Sequence, residues 1–170
     1  LMDIIKVLSP AELKGLGEYV RSPLFNKNKN VIRLFDYIHK LSPGYPPEKM
    51  KKTYVYRKLF GEGRFNDGFM RTLIFIITRL AEDYIAYLGF VNDRFSSQIS
   101  LLSELNRRNV TSILSRSIRN ADKQFKAEKN KDDNYYRALY ELEIIRNESQ
   151  VSKGKTLNTK EVADDLTSVI

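Results

Sequence analysis

Residues 67–90 read DGFMRTLIFIITRLAEDYIAYLGF, and this stretch decides the fold. Its apolar residues form two neighbouring stripes at helical spacing, which predicts one long helix capped by Asn66 or Asp67. The stripes are Phe69, Leu73, Ile76, Leu80, Tyr84 and Leu88, and beside them Met70, Ile74, Ile77, Ala81 and Ile85. Because residues 73–77 are all apolar, we expect a buried central helix with neighbours on several sides.

Start and stop signals mark three shorter helices before this one. The run SPAE at residues 9–12 predicts a capping box with proline at the first helical position, and that helix should end near Arg21, before a Ser-Pro pair. A second helix is predicted from Val31 to Leu41 and a third from Pro47 to Phe60. Their predicted inward faces are Leu13, Leu16 and Val20; Val31, Leu34, Phe35 and Ile38; and Met50, Val55 and Leu59. Two glycines, Gly15 and Gly17, weaken the first helix or allow a neighbour to approach closely.

Longer amphipathic helices are predicted after Gly89. They cover residues 94–108, 111–130 and 133–150, and their short polar breaks favour antiparallel packing. The residues that define these amphipathic patterns are Phe95, Ile99, Leu102 and Leu105; Leu114, Ile118, Ala121 and Phe125; and Tyr136, Leu139, Tyr140, Glu143 and Ile144. A loop at residues 151–158 leads to a further predicted helix, residues 159–170, with Val162, Leu166, Val169 and Ile170 apolar. Since that pattern is still open at the last residue, we expect further helices to follow, as at the start of a helical-repeat array.

The sequence therefore predicts an all-α protein with two parts, a compact bundle at residues 1–90 and antiparallel long helices at 91–170. A composition of 42% hydrophobic and 29% charged residues is typical of globular chains. The absence of cysteine excludes disulfides and thiolate chemistry and fits a reducing compartment such as the cytoplasm. No apolar run approaches the ~20 residues of a membrane span, and we expect no signal peptide in the N-terminal residues. We expect no membrane association.

Several short motifs in the first half resemble a known family. They are SPLFNK at residues 22–27, LFG at 59–61, FND at 65–67 and LAEDY at 80–84. Together they resemble the N-terminal part of a bacterial family of uncharacterised all-helical proteins, over about residues 10–90. The resemblance implies a helical fold, a longer natural chain and a cytoplasmic bacterial setting. It implies no activity, because none is known for that family.

Motifs for catalysis or cofactor binding are incomplete. Gly154-Lys155-Thr156 ends like a phosphate-binding loop, but the glycine needed five positions earlier is Ser149. Residues 61–66, GEGRFN, begin like a dinucleotide fingerprint, yet its third glycine is Asn66 and no strand precedes it. The only histidine, His39, has no visible partner for metal binding or proton transfer. We therefore expect no catalytic, cofactor or metal site, and no enzyme.

Basic residues supply the remaining candidates for binding. The chain carries a net charge of +8, and residues 1–90 hold 15 Lys or Arg against 9 Asp or Glu, so the excess is concentrated there. The candidate contacts to nucleic acid or another anion are Lys27, Lys29, Lys51, Lys52, Lys58, Arg64 and Arg71. Capping by Asn28 or Asn30 is an alternative explanation for the Asn/Lys connector, and the helical lysines also fit an ordinary solvated face.

The leading hypothesis for function is a non-catalytic helical interaction or scaffold module, with a protein partner or a second copy bound on its amphipathic layers. The alternative is a sequence-independent nucleic-acid-binding module that uses a basic face of residues 1–90. A helix, a glycine turn and the central helix outline a helix-turn-helix there. The central helix is too apolar to read bases, so we expect contacts to phosphates only.

Overall fold

The computed structural model describes residues 1–61 and 63–151, and every regular element in these residues is an α-helix. The helices are α1 (Met2–Val7), α2 (Pro10–Arg21), α3 (Lys29–Lys40), α4 (Pro47–Met50), α5 (Lys52–Phe60), α6 (Asp67–Asn92), α7 (Arg94–Arg107), α8 (Thr111–Ala127) and α9 (Asp133–Val151). The predicted all-α class is confirmed. Contacts divide the chain into two compact units, Leu1–Gly89 and Phe90–Ile170. Within the described residues, no helix is both long enough and apolar enough to cross a bilayer.

The predicted capping box starts α2. The Ser9 amide donates to Glu12 Oε2 at 2.8 Å, and the Glu12 amide donates to Ser9 Oγ at 3.3 Å. The helix ends at Arg21 because Ser22, which precedes proline, is extended with ψ 122°. The hydrogen bonds between Ser9 and Glu12 satisfy backbone amides that the start of a helix leaves unpaired. The start of α2 is therefore fixed by the capping box and its end by the extended Ser22.

The core of the first unit joins α2, α3 and α6. Its buried residues are Ile5, Leu13, Leu16, Val20, Val31, Leu34, Phe35, Ile38, Tyr45, Val55, Met70, Leu73, Ile77, Leu80, Ala81 and Tyr84. The inward faces predicted for α2 and α3 are confirmed in full. Sequence patterns did not predict α1, which is six residues long, lacks a side-chain cap and has Ile5 as its one fully buried residue.

Gly15 of α2 lies against Tyr84 of α6. A Cβ atom added at Gly15 would lie 2.2 Å from Tyr84 Oη, which is far inside van der Waals contact. Gly17 has a similar role, because an added Cβ would lie 2.9 Å from Cε1 of Phe35. The prediction that these glycines allow a close neighbour is therefore confirmed, and both are located in the middle of a helix for a packing reason.

The central helix α6 buries one side and exposes the opposite side to solvent. Its buried residues are Met70, Leu73, Ile77, Leu80, Ala81 and Tyr84, which come from both predicted stripes. Phe75 is 65% exposed, so the prediction that all of residues 73–77 require burial is wrong at this position. The spacing in a helix explains the result, because residues 73 and 77 share a face while residue 75 points about 200° away from the first of them.

The single helix predicted from Pro47 to Phe60 is wrong, because Lys51 is extended with ψ 130° and separates α4 from α5. In a continuous helix the Lys49 carbonyl would accept from the amide four residues later. Here it accepts from the hydroxyl of Tyr37 at 2.8 Å. A side chain of α3 thus takes the hydrogen bond that would have continued the helix. The inward face is confirmed, with Val55 buried and Met50 packed at the edge of the core.

The second unit packs α7, α8 and α9 together. Its buried residues are Ile99, Leu102, Leu114, Ile118, Ala121, Phe125, Tyr135, Ala138, Leu142 and Ile145, so the predicted stripe of α8 is confirmed. The stripe predicted for α9 is wrong, since Tyr136, Tyr140 and Ile144 are exposed. Both sides of α9 are apolar, and periodicity alone could not select the buried one. The loop and helix predicted beyond Val151 lie outside the described residues.

Candidate interaction surfaces

All seven basic residues predicted to contact an anion are exposed. Lys27 and Lys29 lie at the connection between α2 and α3, and Arg64 lies just before α6. Of the remaining four, Lys51 lies between α4 and α5, Lys52 and Lys58 belong to α5, and Arg71 belongs to the first turns of α6. Their exposure leaves every one of these charges accessible to solvent.

The carboxylate of Asp67 brings two of these cations together. Lys52 Nζ lies 3.3 Å from Asp67 Oδ1, and Arg71 Nε lies 2.6 Å from Asp67 Oδ2. The other five make no ion pair with a described residue. At the connector, the Asn28 side chain accepts from the amides of Asn30 at 3.0 Å and Val31 at 3.4 Å, so the predicted capping is confirmed. This hydrogen bonding accounts for the Asn-rich composition without a ligand.

The loop at residues 22–26 is held by its own hydrogen bonds. The amides of Phe25 and Asn26 donate to the Ser22 carbonyl at 3.1 and 2.9 Å. The buried side chain of Asn26 donates to the Val20 carbonyl at 2.9 Å and accepts from the Asn28 amide at 2.9 Å. Since these bonds fix the loop at both ends, its conformation does not depend on a partner. Leu24 is nevertheless 82% exposed.

Four aromatic side chains extend from this loop across α2 to the C-terminal part of α6, and we call them the aromatic row: Phe25, Tyr19, Tyr84 and Tyr87. The rings of Phe25 and Tyr19 stack with centroids 4.1 Å apart and an interplanar angle of 12°. Tyr19 lies 5.7 Å from Tyr84, which lies 6.4 Å from Tyr87. The two ends are open to solvent, with Phe25 49% and Tyr87 52% exposed. The row therefore joins the loop to α6 by continuous ring contacts.

Carboxylates border the aromatic row. Burial raises the pKa of Tyr84 above its ordinary value, and the charges of Glu12 and Glu18 raise it further. The pKa of Tyr19 is raised by burial first and then by the charge of Asp83. Glu18 and Asp83 are exposed and form no ion pair with a described residue. The row thus combines exposed apolar area with unneutralised negative charge.

A second apolar surface lies on α9. The exposed Tyr136, Tyr140 and Ile144 are spaced four residues apart and therefore share one side of the helix. The buried stripe that faces α7 and α8 lies on another side. Tyr140 is 57% exposed, although it stands in the middle of a long helix. Tyr136, Tyr140 and Ile144 therefore form an apolar surface that the described residues cover only in part.

Sequence reasoning missed the aromatic row. The sequence feature that could have indicated the row most clearly is the pair Leu24-Phe25. Two large apolar residues between the proline that ends a helix and a polar connector are unusual in a loop. Tyr19 and Tyr87 gave no such signal, since tyrosine in an amphipathic helix fits a core position as well as a surface one. Only the packing of α2 beside Tyr84 places these rings together.

The residues considered above for metal binding or catalysis have structural contacts where the structure describes them. His39 stacks on Phe35 with ring centroids 5.6 Å apart. Gly61 ends α5 with φ 94°, a conformation that favours glycine. In the part of the chain that the structure describes, no group of three or more His, Asp or Glu side chains is arranged to hold a metal ion. Residues 154–156 lie outside that part.

Comparisons with known proteins add no identification. No protein-family model matches the chain. No curated protein and no solved structure matches it either. The function has therefore to be proposed from the surfaces described above.

Proposed function

We propose that this chain is a non-catalytic interaction module that binds a protein partner through the loop at residues 22–26. One observation carries the proposal: Leu24 is 82% exposed at a loop whose conformation is fixed by the buried Asn26. Because the loop backbone is already fixed, it loses little conformational entropy when a partner covers the exposed Leu24 side chain. Such preorganised apolar anchors are typical of the centres of protein interfaces.

The neighbouring rings support the same proposal. Phe25 stacks on Tyr19, so the exposed area continues from the loop onto α2. Tyrosine and phenylalanine are enriched at interface centres because they bury a large area with few rotatable bonds. A contiguous patch of this kind marks an interaction site more strongly than isolated exposed residues do.

The test is photo-crosslinking in cells of the source organism, with a photoreactive phenylalanine analogue in place of Leu24. The expected result is one discrete crosslinked species of defined mass, which mass spectrometry then identifies. The matched control carries the same analogue in place of Val7, which is also exposed but lies on α1. Sedimentation of the purified chain distinguishes a second copy from another protein, because self-association depends on concentration.

The proposal is contradicted if Leu24 and Val7 positions give the same set of products, or if neither gives any. A chain that stays monomeric at every concentration and gives no crosslinked partner in cells would also contradict the proposal. Phe25→Asp provides a further check, since a charge within the patch should remove the Leu24 product without affecting the helical content measured by circular dichroism.

The second candidate function is sequence-independent binding of nucleic acid by the basic residues of the first unit. It is favoured by the five exposed cations that form no ion pair with a described residue, Lys27, Lys29, Lys51, Lys58 and Arg64. A salt titration of binding to a mixed-sequence duplex tests it, because phosphate contacts make affinity fall steeply with salt. The Asp67→Asn variant should bind more tightly, since it frees Lys52 and Arg71. A lack of affinity at low salt would eliminate this function.

A further inference from the structure

We infer that the aromatic row and its bordering carboxylates form a site for a cationic segment of a partner protein, in which arginine or lysine side chains alternate with apolar ones. This inference rests on the proposed function and adds the chemistry of the partner. It concerns Phe25, Tyr19 and Tyr87, with Glu18 and Asp83 beside them.

The open rings supply the first part of the recognition. A guanidinium or ammonium group is attracted to the face of an aromatic ring, and arginine also stacks on it through its planar group. Phe25 and Tyr87 stand at the two ends of the row and are each about half exposed. The molecule already uses this contact internally, because the guanidinium of Arg33 lies 5.2 Å from the ring centroid of Phe60.

Unpaired carboxylates supply the second part. Glu18 lies on α2, where its charge contributes to the raised pKa of Tyr84, and Asp83 lies on α6, one turn before Tyr87. Neither is neutralised by a described lysine or arginine, although the whole chain carries a net charge of +8. Asp67, by contrast, is paired with two cations. Negative charge left unpaired beside open rings is complementary to a cation.

The same charges argue against other occupants. A phosphate backbone would face Glu18 and Asp83, and like charges placed together select against a partner. A purely apolar segment would leave both carboxylates near a dry interface without a counterion, which is unfavourable. A segment with an apolar side chain beside a cation meets both needs, because the exposed Leu24 next to Phe25 in the chain offers apolar contact.

The experiment uses three labelled peptides of one length with leucine at alternate positions. The intervening positions carry arginine in the first peptide, citrulline in the second and glutamate in the third. Fluorescence anisotropy measures each affinity for the whole chain, and amide chemical shifts locate the binding surface. The arginine peptide should bind at least about tenfold more tightly than the citrulline peptide, which keeps the shape of the side chain but lacks its charge.

Two kinds of variant separate rings from charges. The Leu24→Ser and Phe25→Ala variants should each weaken binding of the arginine peptide by about tenfold, and so should the double variant Glu18→Gln, Asp83→Asn. Phe75→Ser is the matched control, because Phe75 is an exposed aromatic residue of α6 outside the row. Its affinity for the peptide should equal that of the unmodified chain.

The inference is overturned if the arginine and glutamate peptides bind equally, if no peptide binds, or if the double variant has unchanged affinity. If any of these results occurs together with a crosslinked partner at Leu24, the proposed interaction function is retained and only the inferred cationic character of the partner is rejected. A dimer that dissociates in the double variant would assign the site to the chain's own basic residues and would also overturn the assignment to another protein.

Discussion

At the scale of single residues, Asn26 holds the loop that presents Leu24. Replacing it with alanine removes the partner of the Val20 carbonyl and of the Asn28 amide. Because buried backbone groups without a partner are costly, Asn26→Ala should lower the free energy of unfolding by about 1–3 kcal/mol. Urea denaturation measures the change. The neighbouring exposed Lys27→Ala is the control and should stay within about 0.5 kcal/mol.

Gly15 provides a second test at this scale. Alanine at an ordinary helical position stabilises a helix relative to glycine by about 0.5–1 kcal/mol. At Gly15, the added Cβ would lie 2.2 Å from Tyr84 Oη, so Gly15→Ala should instead destabilise the protein by about 1–3 kcal/mol.

The double variant Gly15→Ala, Tyr84→Phe isolates the cause. Without the hydroxyl, the nearest remaining ring atom lies 3.1 Å from the added Cβ, so much of the stability should return. The two substitutions should therefore be strongly non-additive in thermal or urea denaturation. Additive losses would show that the contact between Gly15 and Tyr84 does not limit the packing of α2 on α6.

At the scale of secondary-structure elements, two arginines at the C-terminal end of α7 donate hydrogen bonds to one carboxylate. Glu104 accepts from Arg107 Nη2 at 2.7 Å and from Arg108 Nε at 3.0 Å. These hydrogen bonds, that of Arg107 first, lower the pKa of Glu104 from 4.5 to about 2. Because the folded pKa is the lower one, the stability from Glu104 is present above pH 4.5 and is lost as the pH falls towards 2.

Arg107→Gln should raise the pKa of Glu104 towards its ordinary value. Carbon-13 NMR of the side-chain carboxyl follows the titration directly. The control is Arg119→Gln on α8, since Arg119 is exposed and forms no ion pair with a described residue. An unchanged titration of Glu104 in the Arg107 variant would contradict the assigned hydrogen bonds.

Prediction from sequence succeeded for elements with one apolar face. The patterns of α3 and α8 were correct because their opposite faces are polar, so only one orientation buries the apolar residues. It failed for α9 and for Phe75 of α6, where apolar residues exceed what the neighbouring helices cover. The break at Lys51 was also hidden, since the hydrogen bond that the Lys49 carbonyl accepts there comes from Tyr37 of another helix.

The candidate site shows the same limit. The basic residues were visible in the sequence as charges, and Arg71 pairs with Asp67 within α6, but the pairing of Lys52 with Asp67 depends on α5 and α6 meeting. The aromatic row brings together residues 19, 25, 84 and 87, and helical spacing relates only the last two. Contacts between distant residues of this kind follow from tertiary packing, which a local pattern does not encode.

At the scale of the whole molecule, each unit has its own hydrophobic cluster. Leu142 is fully buried in the second, so Leu142→Ala should cost about 2–5 kcal/mol by loss of contacts and formation of a cavity. Hydrogen exchange should speed up mainly at the amides of α7, α8 and α9, with the amides of α2 and α3 much less affected.

The exposed Tyr140→Ala is the matched control on the same helix and should leave exchange nearly unchanged. Equal acceleration of exchange in both units after Leu142→Ala would contradict separate cores. Accelerated exchange in the Tyr140 variant would show that its side of α9 is covered in solution.

The aromatic row also gives the protein its own optical signal. The chain contains 10 tyrosines and no tryptophan, so tyrosine dominates its ultraviolet emission. Tyr19, Tyr84 and Tyr87 lie within ring contact of one another, and a tryptophan brought close to them would accept their excitation energy. A tryptophan-containing partner seated on the row would therefore quench tyrosine emission and brighten its own. Binding at this surface would be visible without any attached label.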